Sequence, residues 1–366
     1  MAIRAGVGIS KENDAFKAGY EACSMAIQEA GGITPDLVIV FSSIRYDQGE
    51  LIRGVREVAP HSLMSGCSDA GEITNRGPMK ESVAVMAIKS DTITFTPGLG
   101  RDIKAGARNA GQIVAREIKE KAPAPLRALA MFPDVLVGNG ADIVRGVLDT
   151  MGAHFPVVGG AAGDDFKFEK TFEYYNGEVV SGAVGGIGFS GNFSMGIGMR
   201  HGWVPIGMPM KVTKAEGAVL HELDGRPAIS IYEDYFGENI EDLRKEPLAR
   251  MAITYPLGLK IGESDEYLIR DPVTVDEKGS ITCAAEIPEG SEVRLMIGSK
   301  EEAIKAAQEA ARHLIHEFEI EKTTPKFILM FNCIAREKLF GQKANEEIHA
   351  VMDIIGHDVP LIGFYT

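Results

Sequence analysis

Short apolar runs, each opened by a proline and closed by a phenylalanine, recur three times along the chain: Pro35 to Phe41 (PDLVIVF), Pro125 to Phe132 (PLRALAMF) and Pro325 to Phe331 (PKFILMF). Near-continuous hydrophobicity over so few residues fits strands buried on both faces. A polar loop follows each run: Ser42-Ser43-Ile44-Arg45, Pro133-Asp134 and Asn332-Cys333-Ile334-Ala335-Arg336. Beyond each loop the period changes to that of a short helix. The third is the clearest, with Ile348, Val351, Met352 and Ile355 on one face and Gly356 as its stop, and the second ends similarly at Gly152. Each helix leads to another apolar strand that closes around glycine: Leu63 to Cys67, Val157 to Gly160 and Leu361 to Phe364. The chain thus reads as three copies of a strand, polar loop, helix and strand.

Longer amphipathic helices precede the copies, with apolar positions at Phe16, Cys23 and Ile27, at Ile103, Ala107, Val114 and Ile118, and at Ile304, Ala307, Ala311, Leu314 and Phe318. The last opens on Ser299-Lys300-Glu301-Glu302, a reciprocal capping pattern. Copies one and two continue into strands that read as hairpins, Val83 to Ile88 with Thr92 to Thr96 and Thr171 to Tyr175 with Val179 to Phe189. The third stops at Thr366. A different region, about 201–298, is punctuated by Pro205 to Pro209 and Gly258 to Gly262. Within it Ala215 to Leu223 and Ala228 to Phe236 read as helices, and Glu266 to Ile269, Ile281 to Ala285 and Val293 to Ile297 as strands. The expected fold is α/β, a layered mixed-sheet architecture of repeated strand-loop-helix-strand units in residues 1–204, with a second C-terminal α/β domain in residues 205–366.

Composition narrows the function. The 366 residues carry 38 Lys+Arg against 52 Asp+Glu, a formal charge of −14, so no basic excess is available for nucleic acid. Forty-two glycines point to many tight turns and close backbone approaches. Cys23, Cys67, Cys283 and Cys333 are widely spaced and form neither a zinc pattern nor a disulfide framework. With no secretory pattern at the N-terminus, a cytoplasmic setting is expected. The charge-poor stretch Val179 to Met199 reads as two strands around a turn at Ser190-Gly191-Asn192, and no membrane insertion is expected.

Ligands of layered α/β proteins collect at the carboxyl ends of strands. There the first two copies place Gly66-Cys67-Ser68-Asp69-Ala70-Gly71-Glu72-Ile73 and Gly159-Gly160-Ala161-Ala162-Gly163-Asp164-Asp165. These segments, with Asn332 to Gly341 and the terminal Pro360 to Thr366, closely resemble the FIST family of sensory domains, N-terminal and C-terminal portions together. Arg270-Asp271-Pro272, Asp276 with Gly279-Ser280, and Ile287 to Gly290 are similar to that family's middle region. The resemblance implies an intracellular sensor of small ligands, with amino acids or related metabolites as ligands and haem in some members. The family's C-terminal motif usually continues past Gly-Phe-Tyr-Thr into a further strand, which raises the expectation of a longer native chain. No kinase, cyclase or methyl-accepting segment is recognisable, so a signalling partner such as a kinase, a cyclase or a chemotaxis component is expected.

The candidate ligand-binding residues are Cys67, Ser68, Gly160, Asp164, Asp165, Cys333, Arg336 and Tyr365. Arg336 offers a planar guanidinium for a ligand carboxylate, against the plainer reading of an ion pair to Glu346 or Glu347. Asp164 and Asp165 would bind an amine or accept main-chain amides at a turn. Cys67 and Cys333 occupy corresponding strand ends and would line a pocket. A thiol nucleophile at either is the basis of the rival reading, a hydrolase or transferase. Ser68, Asp69 and Glu72 form a polar loop suited to ligand contact, and Tyr365 to a pocket wall. No cofactor or metal is expected. Haem is the alternative, with His201 its candidate ligand and gas sensing its role. The glycine groups match neither dinucleotide nor P-loop patterns.

Overall fold

The computed structural model describes residues 3–237, 254–262 and 267–366. Two compact units emerge, one of Met1–Gly198, Ala311–Ile334 and Ala344–Thr366, the other of Met199–Ala310 and Ala335–Lys343. The division expected at 205 follows chain order, whereas these units interleave. The chain rejoins the first unit within the helix Lys300–Glu321, because Leu361–Tyr365 pairs antiparallel with Glu72–Thr74.

Among the described residues the first unit holds three sheets. In one, the strands run in the order Ile3–Ser10, Val83–Ser90, Leu37–Ser42, Leu63–Ser68, Glu173–Tyr175, Glu178–Val180. The second runs Ile93–Gly100, Val184–Gly191, Leu126–Pro133, Val157–Gly159. Its four strands repeat the order and senses of the first four above: antiparallel, antiparallel, parallel. The third sheet joins the parallel pair Ile328–Asn332 and Leu361–Tyr365 to the hairpin Glu72–Thr74 and Gly77–Met79. All three Pro-to-Phe runs are therefore strands, and each lies parallel to the apolar strand that follows it.

Each parallel pair needs glycine at the same place. Gly66, Gly159 and Gly363 face Val40, Met131 and Met330, the residues just before the run-ending phenylalanines. A Cβ there would lie 1.8, 2.0 and 1.8 Å from the facing carbonyl oxygens, a distance no side chain tolerates. The phenylalanines then meet in one core. Ring centroids are 5.4 Å apart for Phe41 and Phe132, 6.0 Å for Phe132 and Phe331, and 4.6 Å for Phe41 and Phe364.

Helices cover the first two sheets in pairs, Ala15–Glu29 with Gln48–Val58 and Ala107–Lys121 with Gly140–Met151. Asp14, Asp47 and Asn139 cap three of them by accepting amide hydrogens from Lys17, Glu50 and Ala141. Both pairs pack through reciprocal glycines. A Cβ on Gly19 would lie 2.2 Å from Leu51 O and one on Gly54 2.0 Å from Phe16 O, and Gly111 and Gly146 face Ile143 O and Arg108 O in the same way.

The second unit is built on a mixed-length antiparallel sheet in which Leu257–Lys260, Glu292–Gly298, Met210–Glu216, Val219–Leu223 and Ile281–Cys283 are consecutive. Val212, Leu220, Tyr232, Leu257, Val293 and Leu295 belong to its core. Among the described residues no helix is long and apolar enough to cross a membrane.

Several local expectations are corrected. Val83–Ser90 and Ile93–Gly100 are not a hairpin: they enter different sheets, where nearly all of their residues are buried, which an isolated ribbon could not achieve. In the second such stretch, Glu173–Tyr175 pairs instead with Glu178–Val180, and Val184–Gly191 lies in the other sheet. No strand lies between Gly191 and Trp203. Ala215 to Leu223 is not a helix but the end of the strand Met210–Glu216, a turn at Gly217 and the second strand of the hairpin, Val219–Leu223. Leu220 and Leu223 are both buried, and their spacing of three mimics helical periodicity. Arg336 lies in a helix, Ile334–Phe340, not in a loop. Ile3–Ser10 is a further strand, at one edge of the first sheet. The strand expected from Glu266 is described from Tyr267 to Arg270, and Glu266 itself lies outside the described residues.

Gly54→Ala is expected to destabilise the protein by about 1–3 kcal/mol, since the helix pair must move apart to admit the methyl group. Gly49→Ala, on the exposed face of the same helix, should be neutral or slightly stabilising. Thermal denaturation of the two variants checks the contrast.

Candidate functional site

Loops from all three parallel pairs meet in the first unit. The segment following Leu63–Ser68 is the hub. Asp69 N–H donates to Ser42 O (3.0 Å), Ala70 N–H to Tyr365 O (3.0 Å), and Tyr365 N–H to Gly71 O (2.8 Å). From the second copy, Gly163 N–H donates to Ser68 O and Asp165 N–H to Asp69 O. A Cβ on Gly160 would lie 2.9 Å from Thr366 Cγ2 and 3.1 Å from Phe364 Cζ. The polar residues at the strand ends are thus stitched together by main-chain bonds directly above the phenylalanine core.

Acid groups are concentrated here. Asp69, Glu72 and Glu173 have no exposed surface. Glu72 Oε1 accepts from Ser43 N–H (2.9 Å) and Oε2 from the Ser82 hydroxyl. Asp165 Oδ2 accepts from the Ser43 hydroxyl at 2.7 Å, and Asp69 Oδ1 from Gly71 N–H at 2.7 Å. Burial pushes the Glu72 carboxyl up to about 8, against the hydrogen bonds that favour its ionised form, and the Asp165 charge adds to the rise. Burial and the charges of Glu72 and Asp165 hold Asp69 well above the usual carboxylate range. Glu173 is raised by burial and by Asp134. Among the described residues no group of three His, Cys, Asp or Glu side chains is placed to hold a metal ion.

The loop Asp164–Lys170 joins this cluster through Asp165. The Asp164 carboxylate gathers it by accepting four main-chain amides: Lys167 and Phe168 on Oδ1, Glu169 and Lys170 on Oδ2, at 2.6–3.0 Å. Asp165, Phe166 and Phe168 all have left-handed backbones, with φ of 54°, 67° and 58°. Such conformations cost bulky residues about 1–3 kcal/mol each and cluster where a loop serves a ligand. Phe166 and Phe168 pack edge to face at 4.8 Å, yet are 43% and 64% exposed.

Six of the eight candidate residues, Cys67, Ser68, Gly160, Asp164, Asp165 and Tyr365, come together in this assembly. Their roles differ. Ser68 is spent on the main chain, donating to Gly163 O (2.7 Å) and accepting from Phe172 N–H (2.9 Å). Cys67 is buried, and desolvation with the charges of Asp69 and Glu173 holds its thiol well above the ordinary range, which opposes thiolate formation. Tyr365 is fully buried. Cys333 is half-buried, its amide bonded to Asn332 Oδ1, and Asn332 Nδ2 donates to the buried Glu347. Arg336 lies in the other unit, where its guanidinium donates to the carbonyls of His201 and Ala303 at 2.6 Å each. His201 Nδ1 accepts from Trp203 N–H.

Ser43, Ser82, Glu173 and Tyr174 were not singled out by sequence. Tyr174 shares a buried network with Ser42 (2.8 Å) and Gln48. Serines closing or flanking otherwise apolar strands were the available signal. A cleft of about 760 Å³ lies at the opposite, amino-terminal ends of the third strand pair, lined by residues including Arg4, Glu29, Phe318, Lys326 and Pro360, and by none of the candidates.

A buried acid whose folded pKa is raised stabilises most below its unfolded value. For Glu72 that contribution is full below about 4.5 and is lost as pH rises through about 8. Melting temperature should therefore fall between those limits, and Glu72→Gln should flatten the fall and raise stability at pH 8. Thermal scans of both proteins across pH 4.5–9 check this, and parallel curves would refute it.

The chain matches the FIST N domain over residues 36–226 and the FIST C domain over residues 228–366. Among curated relatives, an uncharacterized protein of Methanocaldococcus jannaschii is 28% identical over 74% of this chain, which spans 56% of that protein. An uncharacterized protein of Mycobacterium tuberculosis is 24% identical over 100% of this chain and 94% of its own length. Among solved structures, a cyanuric acid hydrolase aligns with a TM-score of 0.31 and 9% identity over 73% of this chain and 85% of its own. Another, from A. caulinodans, aligns with a TM-score of 0.29 and 11% identity over 52% and 72%, and neither alignment bears on function. The two domain matches span almost the whole chain in order, and the protein belongs to the FIST family, whose domains are known as small-ligand sensors in signalling.

Proposed function

We propose that this protein is a cytoplasmic sensor that binds an amino acid or a related small metabolite where the three strand-loop-helix-strand copies converge, and passes its state to a signalling partner. One observation carries the reading: polar loops from three separate strand pairs are bonded to one another, and a strained, aromatic-tipped loop is attached to them through Asp165. A ligand shifts an equilibrium only through different affinities for two states. The loop Asp164–Lys170 supplies such an element, because its left-handed residues and exposed phenylalanines store conformational energy that ligand contacts would offset. In this reading Asp165, Glu72 and Gly160 would contact the ligand, and Asp164 would position the loop. The thiol-enzyme alternative has less support, since burial opposes ionisation of Cys67.

A ligand that binds only the folded state stabilises it by RT ln(1 + [L]/Kd), about 2.7 kcal/mol at a hundredfold excess over Kd, and so raises the melting temperature. A panel of amino acids, small carboxylates and amines is expected to contain at least one compound that shifts the full chain, with the shift lost in Asp164→Ala. No shift with any member would remove the sensor reading in this form.

A further inference from the structure

The carboxyl groups at the strand ends are unequal in one respect. Both oxygens of Glu72 are occupied, by Ser43 and Ser82, and Asp165 is held by Ser43. Asp69 accepts Gly71 N–H on Oδ1, whereas its Oδ2 is completely buried and accepts no hydrogen bond in the structure. A buried carboxyl oxygen without a donor is expensive, and where a fold retains one, a donor arriving from outside is the physical explanation to test first.

The surroundings specify that donor. The charges acting on Asp69 are those of Glu72 and Asp165, both acidic, and neither Asp69 nor Glu72 has a basic side chain among the groups that shift it; Lys167 acts on Asp165, at the outer side of the group. The arriving group should therefore be a cation. A metal ion would need several ligands at once, and among the described residues no set is placed for that. A primary ammonium suits the site better, with one charge and three directional N–H donors. Asp165 marks the way in: it is half-buried, its amide is bonded to Asp69 O, and it opens the strained segment that carries Phe166 and Phe168. These rings offer an apolar surface to whatever alkyl group the ammonium bears.

We propose that Asp69, Glu72 and Asp165 form a binding site for the primary ammonium group of a small ligand, with the loop Asp165–Lys170 as its cover. The proposal rests on the sensor reading above and names the group by which the ligand is held. The test is a thermal-shift titration of the full chain with ethylammonium chloride, against tetramethylammonium chloride and sodium chloride at equal ionic strength. Ethylammonium should give a saturable rise in melting temperature that neither control gives, because tetramethylammonium lacks N–H donors. Asp69→Asn, which keeps the acceptor for Gly71 but puts a donor in place of Oδ2, should abolish the rise. If that variant does not fold, the half-buried Asp165→Asn reads the same effect, with apparent affinity expected to drop about tenfold or more. Equal shifts with all three salts, no shift, or a shift unchanged in the folded variant would overturn the site. If an amino acid from the panel still stabilises the protein while ethylammonium does not, and Asp69→Asn leaves that stabilisation intact, the ammonium site fails and the sensor reading stands. If neither binds, both fail.

Discussion

Everything at the candidate site depends on the packing of phenylalanine rings that closes the three parallel strand pairs. Phe41, Phe132 and Phe331 end the three runs, Phe364 joins them from the last strand, and their contacts fix where each strand stops. Burying one such side chain contributes about 1.5–3 kcal/mol, and a well-oriented aromatic pair about 0.5–1.5 kcal/mol more. The rings can meet only because Gly66, Gly159 and Gly363 let the second strand of each pair lie against the first. Polar loops leaving the strands immediately beyond the rings then have no choice but to crowd together.

That crowding explains the chemistry. Loops forced into the interior must satisfy their main-chain groups, and Ser68, Asp69, Gly163, Asp165 and Tyr365 do so by bonding to one another across copies. Their side chains are left to share a dry space in which Glu72, Asp69 and Glu173 are pushed toward the neutral state. A fold selected for stability alone would fill such a space with apolar residues. Retaining three buried acids costs stability, since each must either stay protonated or hold a charge out of water.

The sequence made the strands of this core legible because they are buried on both faces, so proline, an unbroken apolar run and phenylalanine mark them without any partner being known. The helix start at Ser299 was equally local, since a cap needs only its own first turn. What depended on partners was hidden. Val83–Ser90 and Ile93–Gly100 are neighbours in sequence but lie in different sheets, which no local pattern states. Asp164 and Asp165 were recognisable as a pair, but not their separate duties: one carboxylate gathers four amides, the other reaches Ser43. Arg336 looked like a ligand clamp because it follows the end of a buried strand, yet its guanidinium donates to backbone carbonyls, which carry no mark in a sequence.

The pairing of Phe364 with Glu72 spans about 290 residues of chain, an extreme separation for two residues in register, and loop closure of that size belongs among the slow events of folding. During synthesis the hairpin Glu72–Met79 emerges long before the strand that covers it. Until Leu361–Tyr365 arrives, one edge of that hairpin and the acids beside it remain accessible to water and to other chains. The strand ends that meet around Asp69 can therefore come together only after Leu361–Tyr365 has been made, so a chain released before that point carries the hairpin without the strand that pairs with it.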